Sequence, residues 1–418
     1  MSRRSLLLLL LGLAAATGCS PSTAPQVAAP VAREPYPVME HSTPTGSTVQ
    51  SEYEPSRLAW WATDPAQQAA VEAEYGLLLE DDLGAARVCR RSDGGSVAGL
   101  LTALAADPRV RLVQPNFVAE TAESRGHSFA FDDGYDFVTG AADQGAAGRV
   151  GVARAHEVSR GDGVLVAVLD TGINPNHRSF VGRLVPGYDF VDDDADPTER
   201  PNGIDEDADG RIDEALGHGS HVAGIVALVA PRARILPLRV LDDDGRGEAY
   251  DIARAIDFAV LRGARVINLS LGMLVEDQLL AEAIERAEIM GVIVSASAGN
   301  RGAEEPEEFP AKAEEAMGIA ATGADDRPTT FTSYGSHVAL SAPGEGIRSA
   351  FWNGHTAVWS GTSMSTPWVS GGAALLLALH PGWGRSDVLS RLAATARPLD
   401  PAIPGATGLF GAGILDLA

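Results

Sequence analysis

From about Ala142 to Ala418, short apolar, β-branched runs alternate with amphipathic stretches, and this alternation constrains the fold more than any other feature. The runs are Val164 to Leu169, Arg234 to Leu241, Ala264 to Leu271 and Val292 to Ser297. Between them, Ile252, Ile256 and Ala259/Val260 share one helical face, as do Leu280, Ile284 and Ala287 in the next stretch. Such alternation predicts an α/β architecture, a doubly wound, mostly parallel sheet with helices on both faces. Sites in open sheets of this kind form beyond the carboxyl ends of the strands. Asp170, Ser270 to Gly272 and Asn300 all fall at such ends.

Three motifs supply chemistry, in the order VAVLDTG around Asp170, GHGSHVAG around His218 and SGTSMSTPWVSG around Ser363. They offer an acid, a base and a hydroxyl nucleophile, each set among small residues. A carboxylate that ends a buried strand can accept a hydrogen bond from an imidazole and fix its tautomer. An Asp there can also simply cap a turn. His218 and His221 open the helical stretch HVAGIVALVA and could face one way as a zinc pair, but no third His, Cys or Glu follows at a ligand spacing. Ser363 enters a helix of small and apolar residues, with Pro367 expected in its first turn. The positive end of the helix dipole would face the hydroxyl there. Ser is also a good N-cap.

Together and in this order, the motifs resemble those of the subtilase (subtilisin-like serine peptidase) family. The resemblance covers residues 142–418, including GILD near the C-terminus. It implies that Asp170, His218 and Ser363 are catalytic, with His218 the general base and His221 a packed or capping residue. It implies that Asn300, in SASAGN, completes an oxyanion hole. Gly245, Arg246 and Gly247 resemble an edge strand that pairs with an extended polypeptide substrate. Ser270, Leu271 and Gly272 resemble one wall of the primary specificity pocket, with Ala298 and Gly299 opposite. Arg301 would lie near the pocket mouth and disfavour Lys or Arg at the cleaved position, unless the run Glu304 to Glu308 neutralises it. The implied activity is hydrolysis of peptide bonds through an acyl-enzyme, with no cofactor for catalysis. Two alternatives stand beside it. A catalytically weak pseudoprotease or peptide-binding module could share the fold, although all four reacting groups are present. Acid-active serine-carboxyl peptidases share a similar Ser motif but place an acid where this chain has His218.

The strong calcium site of many bacterial subtilisins is not expected. Ser179 stands where its Asp should follow His177, and VAGIVALVAPRARI runs on without the asparagine-rich ligand loop. Between Asp170 and His218, however, Asp205, Asp207, Asp209, Gly210 and Asp213 fit positions one, three, five, six and nine of an EF-hand-like loop. Position twelve is Leu216, so Glu214 or another acid would have to complete a structural calcium shell; the alternative is a solvated acidic loop.

The first residues read as an export signal over 1–18, with Arg3 and Arg4 before an apolar stretch shorter than the ~20 residues a membrane span needs. Ala16-Thr17-Gly18-Cys19 resembles a bacterial lipoprotein cleavage box, which would lipidate Cys19 and make that lipid the only membrane contact. An ordinary signal peptide containing a cysteine is the alternative. Residues 19–50 read as a flexible tether rich in Pro, Ser, Thr and Ala. Residues 51–120 read as a small α+β, ferredoxin-like domain whose DPRVRLVQPNFVAE resembles the end of an inhibitory propeptide. It would act as intramolecular inhibitor, with a processing site in or near the linker 121–141. The formal net charge of −24 disfavours nucleic acid and anionic lipid as partners. With Cys19 lipidated, Cys89 has no disulfide partner. The expectation is a monomeric, extracytoplasmic precursor at the bacterial cell envelope, whose catalytic domain is released on processing.

Overall fold

The computed structural model describes residues 36–42, 48–123, 128–135, 144–207, 209–304, 306, 308–399 and 408–418. The expected signal peptide, Cys19, most of the tether and parts of the linker lie outside them. Seven strands form one parallel sheet, in the order Val338–Pro343, Ala316–Thr322, Ile293–Ser297, Val266–Leu269, Leu165–Asp170, Arg234–Arg239, Tyr188–Asp189. Leu165–Asp170 is the first of them in the chain, and later strands are laid down on both of its sides. The order therefore reverses at this strand, and the crevice beyond its carboxyl end is where such sheets place their sites.

All six residues of Leu165–Asp170 are buried, which is why the run carries no polar alternation. Val166 and Val168 enter the core made with the helices His218–Val229 and Thr362–Leu379. Leu165, Ala167 and Leu169 enter the opposite core, with the helices Ala249–Leu261 and Gln278–Ile289. The expected helical faces are the buried ones: Ile252, Ile256 and Ala259 in one helix, Leu280, Ile284 and Ala287 in the next. Pro367 is the sixth residue of its helix, one turn deeper than the sequence suggested.

The N-terminal layer runs strand Thr48–Ala62, helix Gln68–Tyr75, strands Leu77–Asp82 and Ala86–Arg91, helix Ala98–Ala105, strand Val110–Glu120. Its antiparallel order, Val110–Glu120, Thr48–Ala62, Ala86–Arg91, Leu77–Asp82, is that of a split βαβ, ferredoxin-like unit. Adjacent side chains on a strand point to opposite faces, so Trp60 and Trp61 serve different cores. Trp60 packs with Leu58, Val71, Cys89 and Leu104 inside the layer. Trp61 joins the core under Ala249–Leu261 and Gln278–Ile289, and its indole N–H donates to Glu282 Oε1 at 2.9 Å. Burial pushes the Cys89 thiol up to about 12, so it stays protonated and inert. The expected tether is shorter than its composition implied. Val38–Ser42 pairs antiparallel with Thr48 to Glu52, the start of Thr48–Ala62, which runs past its pairing with either neighbouring strand and so offers unpaired backbone groups.

Helix His218–Val229 must approach the hairpin Ile347–Ala350/Thr356–Trp359 closely, and Gly224 is the contact point. A Cβ on Gly224 would run into Ser349 Oγ and come within 2.9 Å of the Ala350 backbone nitrogen. Gly224→Ala, which in an exposed helix would stabilise by up to about 1 kcal/mol, is expected here to destabilise by about 1–3 kcal/mol. Denaturant melts of the two proteins measure the sign directly.

Candidate active site

Asp170 closes its strand at the carboxyl edge of the sheet, and His218 opens the helix that follows the acidic loop. The helix end can reach the turn after the strand because Gly219 has no side chain; a Cβ on Gly219 would collide with the Gly172 carbonyl. Asp170 Oδ1 then lies 2.7 Å from His218 Nδ1 and also accepts from the Thr171 N–H at 2.8 Å. Thr171 Oγ1 accepts from the Gly219 N–H at 2.9 Å and donates to buried Glu199 at 2.6 Å. Glu199 also accepts from the Ser220 hydroxyl, and burial raises its pKa. Sequence reasoning missed this carboxyl, which ties the Asp170 turn to the His218 helix. Trp359 packs edge-on against His218, ring centroids 5.1 Å apart.

His221 lies one turn on and turns away from this group. Its Nε2 sits 3.0 and 3.2 Å from the carbonyls of Ile347 and Ala357, so it donates, and burial with the nearby charge of His218 pushes it down to about 3. It is a neutral packing residue, and the pair does not face a common metal.

Ser363 is the second residue of Thr362–Leu379, after Gly361 in extended backbone. Pro367 has no N–H to give the Ser363 carbonyl, which a helix would otherwise pair four residues on. The Ser270 hydroxyl donates to that carbonyl instead, at 3.0 Å, and itself accepts from Asn268 Nδ2 at 2.9 Å. The Ser270 carbonyl in turn lies 3.3 Å from Ser363 Oγ. Ser270, expected as a pocket wall, thus also holds the helix end that presents Ser363. Asn300 is oriented by its Oδ1, which accepts from both the N–H and the hydroxyl of Thr362 at 2.9 Å, leaving its amide nitrogen to face the site.

These groups converge on one carboxylate that sequence reasoning did not foresee. Glu123 Oε2 accepts from Ser363 Oγ at 2.5 Å and lies 3.2 Å from His218 Nε2. Its Oε1 accepts from Asn300 Nδ2 at 2.9 Å. Among the described residues no direct His218–Ser363 hydrogen bond forms; the carboxylate stands between them. Burial alone would lower His218, but the Asp170 and Glu123 carboxylates outweigh it and raise the imidazole to about 10. Burial would likewise raise Glu123, and His218, Ser363 and Asn300 hold it below its ordinary value. The imidazole is therefore charged, with both nitrogens donating.

The strand leading to Glu123 lies in a cleft with two backbone walls. Val118, Ala119 and Glu120 pair with Glu248, Gly247 and Arg246 on one side. On the other, Glu120 and Gly272 exchange both hydrogen bonds, at 2.8 and 2.9 Å, and the Thr121 N–H reaches the Gly245 carbonyl at 2.9 Å. Gly247 also packs on the strand behind it, where a Cβ would strike the Val240 carbonyl. The Arg246 side chain points away from this exchange, pairing with Glu52.

With this geometry, the comparisons with known proteins agree. Residues 161–413, more than half of the chain, match the family model Peptidase_S8, described as Subtilase family. The chain belongs to the subtilase family. It is 40% identical to thermitase of Thermoactinomyces vulgaris over 53% of this chain and 78% of that protein. It is 36% identical to a thermophilic serine proteinase of Bacillus sp. (strain AK1) over 68% of this chain and 67% of that one, and 35% identical to subtilisin BL of Lederbergia lenta over 61% and 90%. A cold adapted subtilisin-like serine proteinase superposes with a TM-score of 0.55 at 32% identity, covering 62% of this chain and 90% of that one. Fervidolysin of Fervidobacterium pennivorans superposes with a TM-score of 0.71, covering 87% of this chain and 60% of that one; at 23% identity that likeness speaks for the fold.

Two further parts of this subtilase bear on substrate and metal. Arg301 is exposed, whereas Glu308 is buried against the expected pocket walls. A Cβ on Gly299 would lie 2.6 Å from Glu308 Cδ, and one on Gly272 would lie 3.3 Å from its Oε2. The acidic side chain set against the expected pocket walls is this carboxyl, which sequence reasoning weighed only as a neutraliser of Arg301. In the acidic loop, ligand atoms of Asp205, Asp207 and Asp209 lie within 4.8 Å of one another around Gly210, whose φ is 93°. Asp213 is diverted from this group, its carboxylate accepting from the N–H groups of Asn202 and Gly203 at 3.1–3.2 Å. Burial and the neighbouring acids push Asp207 up to about 6 and Glu214 to about 7.

The charge state of the site sets a pH signature. His218 is raised above its ordinary 6.5, so its stabilising share is complete below that pH and is lost as pH rises through about 10. Glu123 is lowered, so its share is present above its ordinary 4.5 and is lost in acid. In a Ser363→Ala background, Glu123→Gln is expected to destabilise the chain by about 3 kcal/mol near pH 6, the low end for breaking a buried pair. The loss should shrink toward zero above pH 10. Denaturant unfolding across that range checks it.

Proposed function

We propose that this subtilase is an endopeptidase in which Ser363 attacks the peptide carbonyl, His218 takes the hydroxyl proton, and Asp170 holds the imidazole in register. Asn300 Nδ2 and the Ser363 N–H would receive the oxygen that becomes negative in the tetrahedral intermediate. His218 then protonates the leaving amine, and water releases the acyl group from Ser363. The observation that carries this reading is the Glu123 carboxylate, which touches hydroxyl, imidazole and amide at once. Those three groups thus point into one small space, where a reacting carbonyl would fit. Extended polypeptides would bind as Val118 to Thr121 does, by backbone pairing with Gly245 to Gly247 and Gly272, which reads little of the substrate's sequence.

The segment lying in the cleft supports the inhibitory-propeptide reading of residues 51–120. Its layer is held by Gln114 on Asp277, at 2.6 Å, and by Asn116 and Arg57 on Glu248, each at 2.7 Å. We assign the chain accordingly to a latent, exported precursor, with Cys19 the lipid attachment and the monomer the working form. Calcium belongs to the same proposal. Asp205, Asp207 and Asp209 would supply hard oxygen ligands on the loop that leads into His218, with Glu214 in place of the diverted Asp213. Its contribution would be structural.

A fluorophosphonate probe is expected to label the processed wild type and not Ser363→Ala; labelling that survives the substitution would sink the assignment. Asn300→Ala should retain labelling yet lose about 10²–10³ in kcat on a peptide substrate, the range known for such a donor in subtilisin, a relative. For the loop, adding calcium should raise the melting temperature of the wild type and leave Asp207→Asn unmoved.

A further inference from the structure

Glu123 does more than fill the site, and the backbone register says what. In an antiparallel pair, each step along one strand is one step back along the other. Glu120 lies opposite Gly272, so continuing that register places Ala122 opposite Ser270. The Ser270 carbonyl is the one 3.3 Å from Ser363 Oγ. On the opposite wall the same register runs through Thr121: Glu120 pairs with Arg246, and Thr121 bonds Gly245. The residue whose carbonyl an extended chain would deliver to the hydroxyl is therefore Ala122. Its methyl suits a pocket narrowed by the Glu308 carboxyl lying between Gly272 and Gly299.

The chain does not continue extended to that point. Ala122 and Glu123 turn into helical backbone, and the Glu123 side chain takes the position facing Ser363, His218 and Asn300. In this state His218 Nε2 already carries a proton and cannot accept the one on Ser363. The amide of Asn300 is committed to a carboxylate.

We propose that this precursor cuts itself between Ala122 and Glu123, and that the Glu123 carboxylate is a latch that delays the cut. This rests on the peptidase reading above. When the latch swings out, His218 loses its second carboxylate, releases its Nε2 proton to solvent water and returns to the neutral form. Ser363 Oγ then bonds the Ala122 carbonyl carbon as its proton passes to His218 Nε2. The Ala122–Glu123 C–N bond breaks as that proton moves to the Glu123 amine. Water then hydrolyses the Ala122 ester, leaving a carboxylate on Ala122 and the free hydroxyl on Ser363. The product chain begins with Glu123, whose carboxylate is no longer tethered over the site by the strand before it.

The test uses the full chain. Precursor from cell-free synthesis is chased, and the mature band is analysed by N-terminal sequencing and intact mass. A first residue of Glu123, absent in Ser363→Ala, is expected; any other Ser363-dependent N-terminus overturns the assigned bond. A mature chain cut elsewhere that still takes the fluorophosphonate probe would sink only this inference, whereas one that never takes the probe would sink the peptidase reading. Glu123→Gln is expected to mature about tenfold faster, the equivalent of 1.4 kcal/mol off the barrier, at the same bond. An equal or slower rate overturns the latch. Glu123→Ala repeats the rate measurement with no side-chain polar group, so a folding defect in one variant leaves the other to decide.

Discussion

The hydrogen bond between Asp170 and His218 organises this molecule, because it joins the end of the central strand to the start of a core helix. Both partners are buried, and neither could be left uncompensated there. Its geometry needs the helix start against the backbone of the Asp170 turn, which Gly219 permits. The shared Glu199 carboxyl, reached by Thr171 and Ser220, closes the same corner from behind. The sheet makes this corner possible, since strand order reverses at Leu165–Asp170 and opens a crevice at its carboxyl end.

A second constraint sets the position of Ser363. Proline inside a helix is costly unless the carbonyl it orphans finds another donor. Here the orphan is the carbonyl of Ser363 itself, and the Ser270 hydroxyl satisfies it from the neighbouring strand end. The interruption thus becomes a cross-link between the helix carrying Ser363 and the wall of the cleft. Asn268 and Ser370 extend it, with the Ser370 hydroxyl donating to Asn268 Oδ1 at 2.8 Å. Side chains in such a chain of hydrogen bonds have little freedom to misplace the hydroxyl.

The electrostatics of the site follow from these placements. One imidazole between two buried carboxylates stays protonated well above neutrality. An imidazole that holds its proton cannot accept one from the Ser363 hydroxyl beside it. This arrangement involves no distortion of the site, only a negative charge delivered by the strand in the cleft.

Much of this was legible in the amino-acid sequence. Strand runs and helical faces were readable because burial on one or two sides imposes a period on apolar residues, and Leu165–Asp170 and the Ile252/Ile256/Ala259 face are where that period predicts. Asp170, His218, Asn300 and Ser363 were readable because each sits in a short local signal of small residues. Pro367 was placed one turn too early, since helix starts are set by capping geometry that sequence marks only loosely. Asp213 matched a ligand spacing, yet its carboxylate went to backbone N–H groups at Asn202 and Gly203, which no spacing rule counts. Glu123, Glu199 and Glu308 carried no local signal at all. A carboxylate's role is decided by what it is set against, and Glu123 meets His218 and Ser363 across 95 and 240 residues of chain. The sequence by itself determined which elements form and which acid, imidazole, amide and hydroxyl stand at their ends. Only the tertiary structure decided which acid faces the imidazole, because that choice is made by register and packing between segments that sequence order keeps far apart.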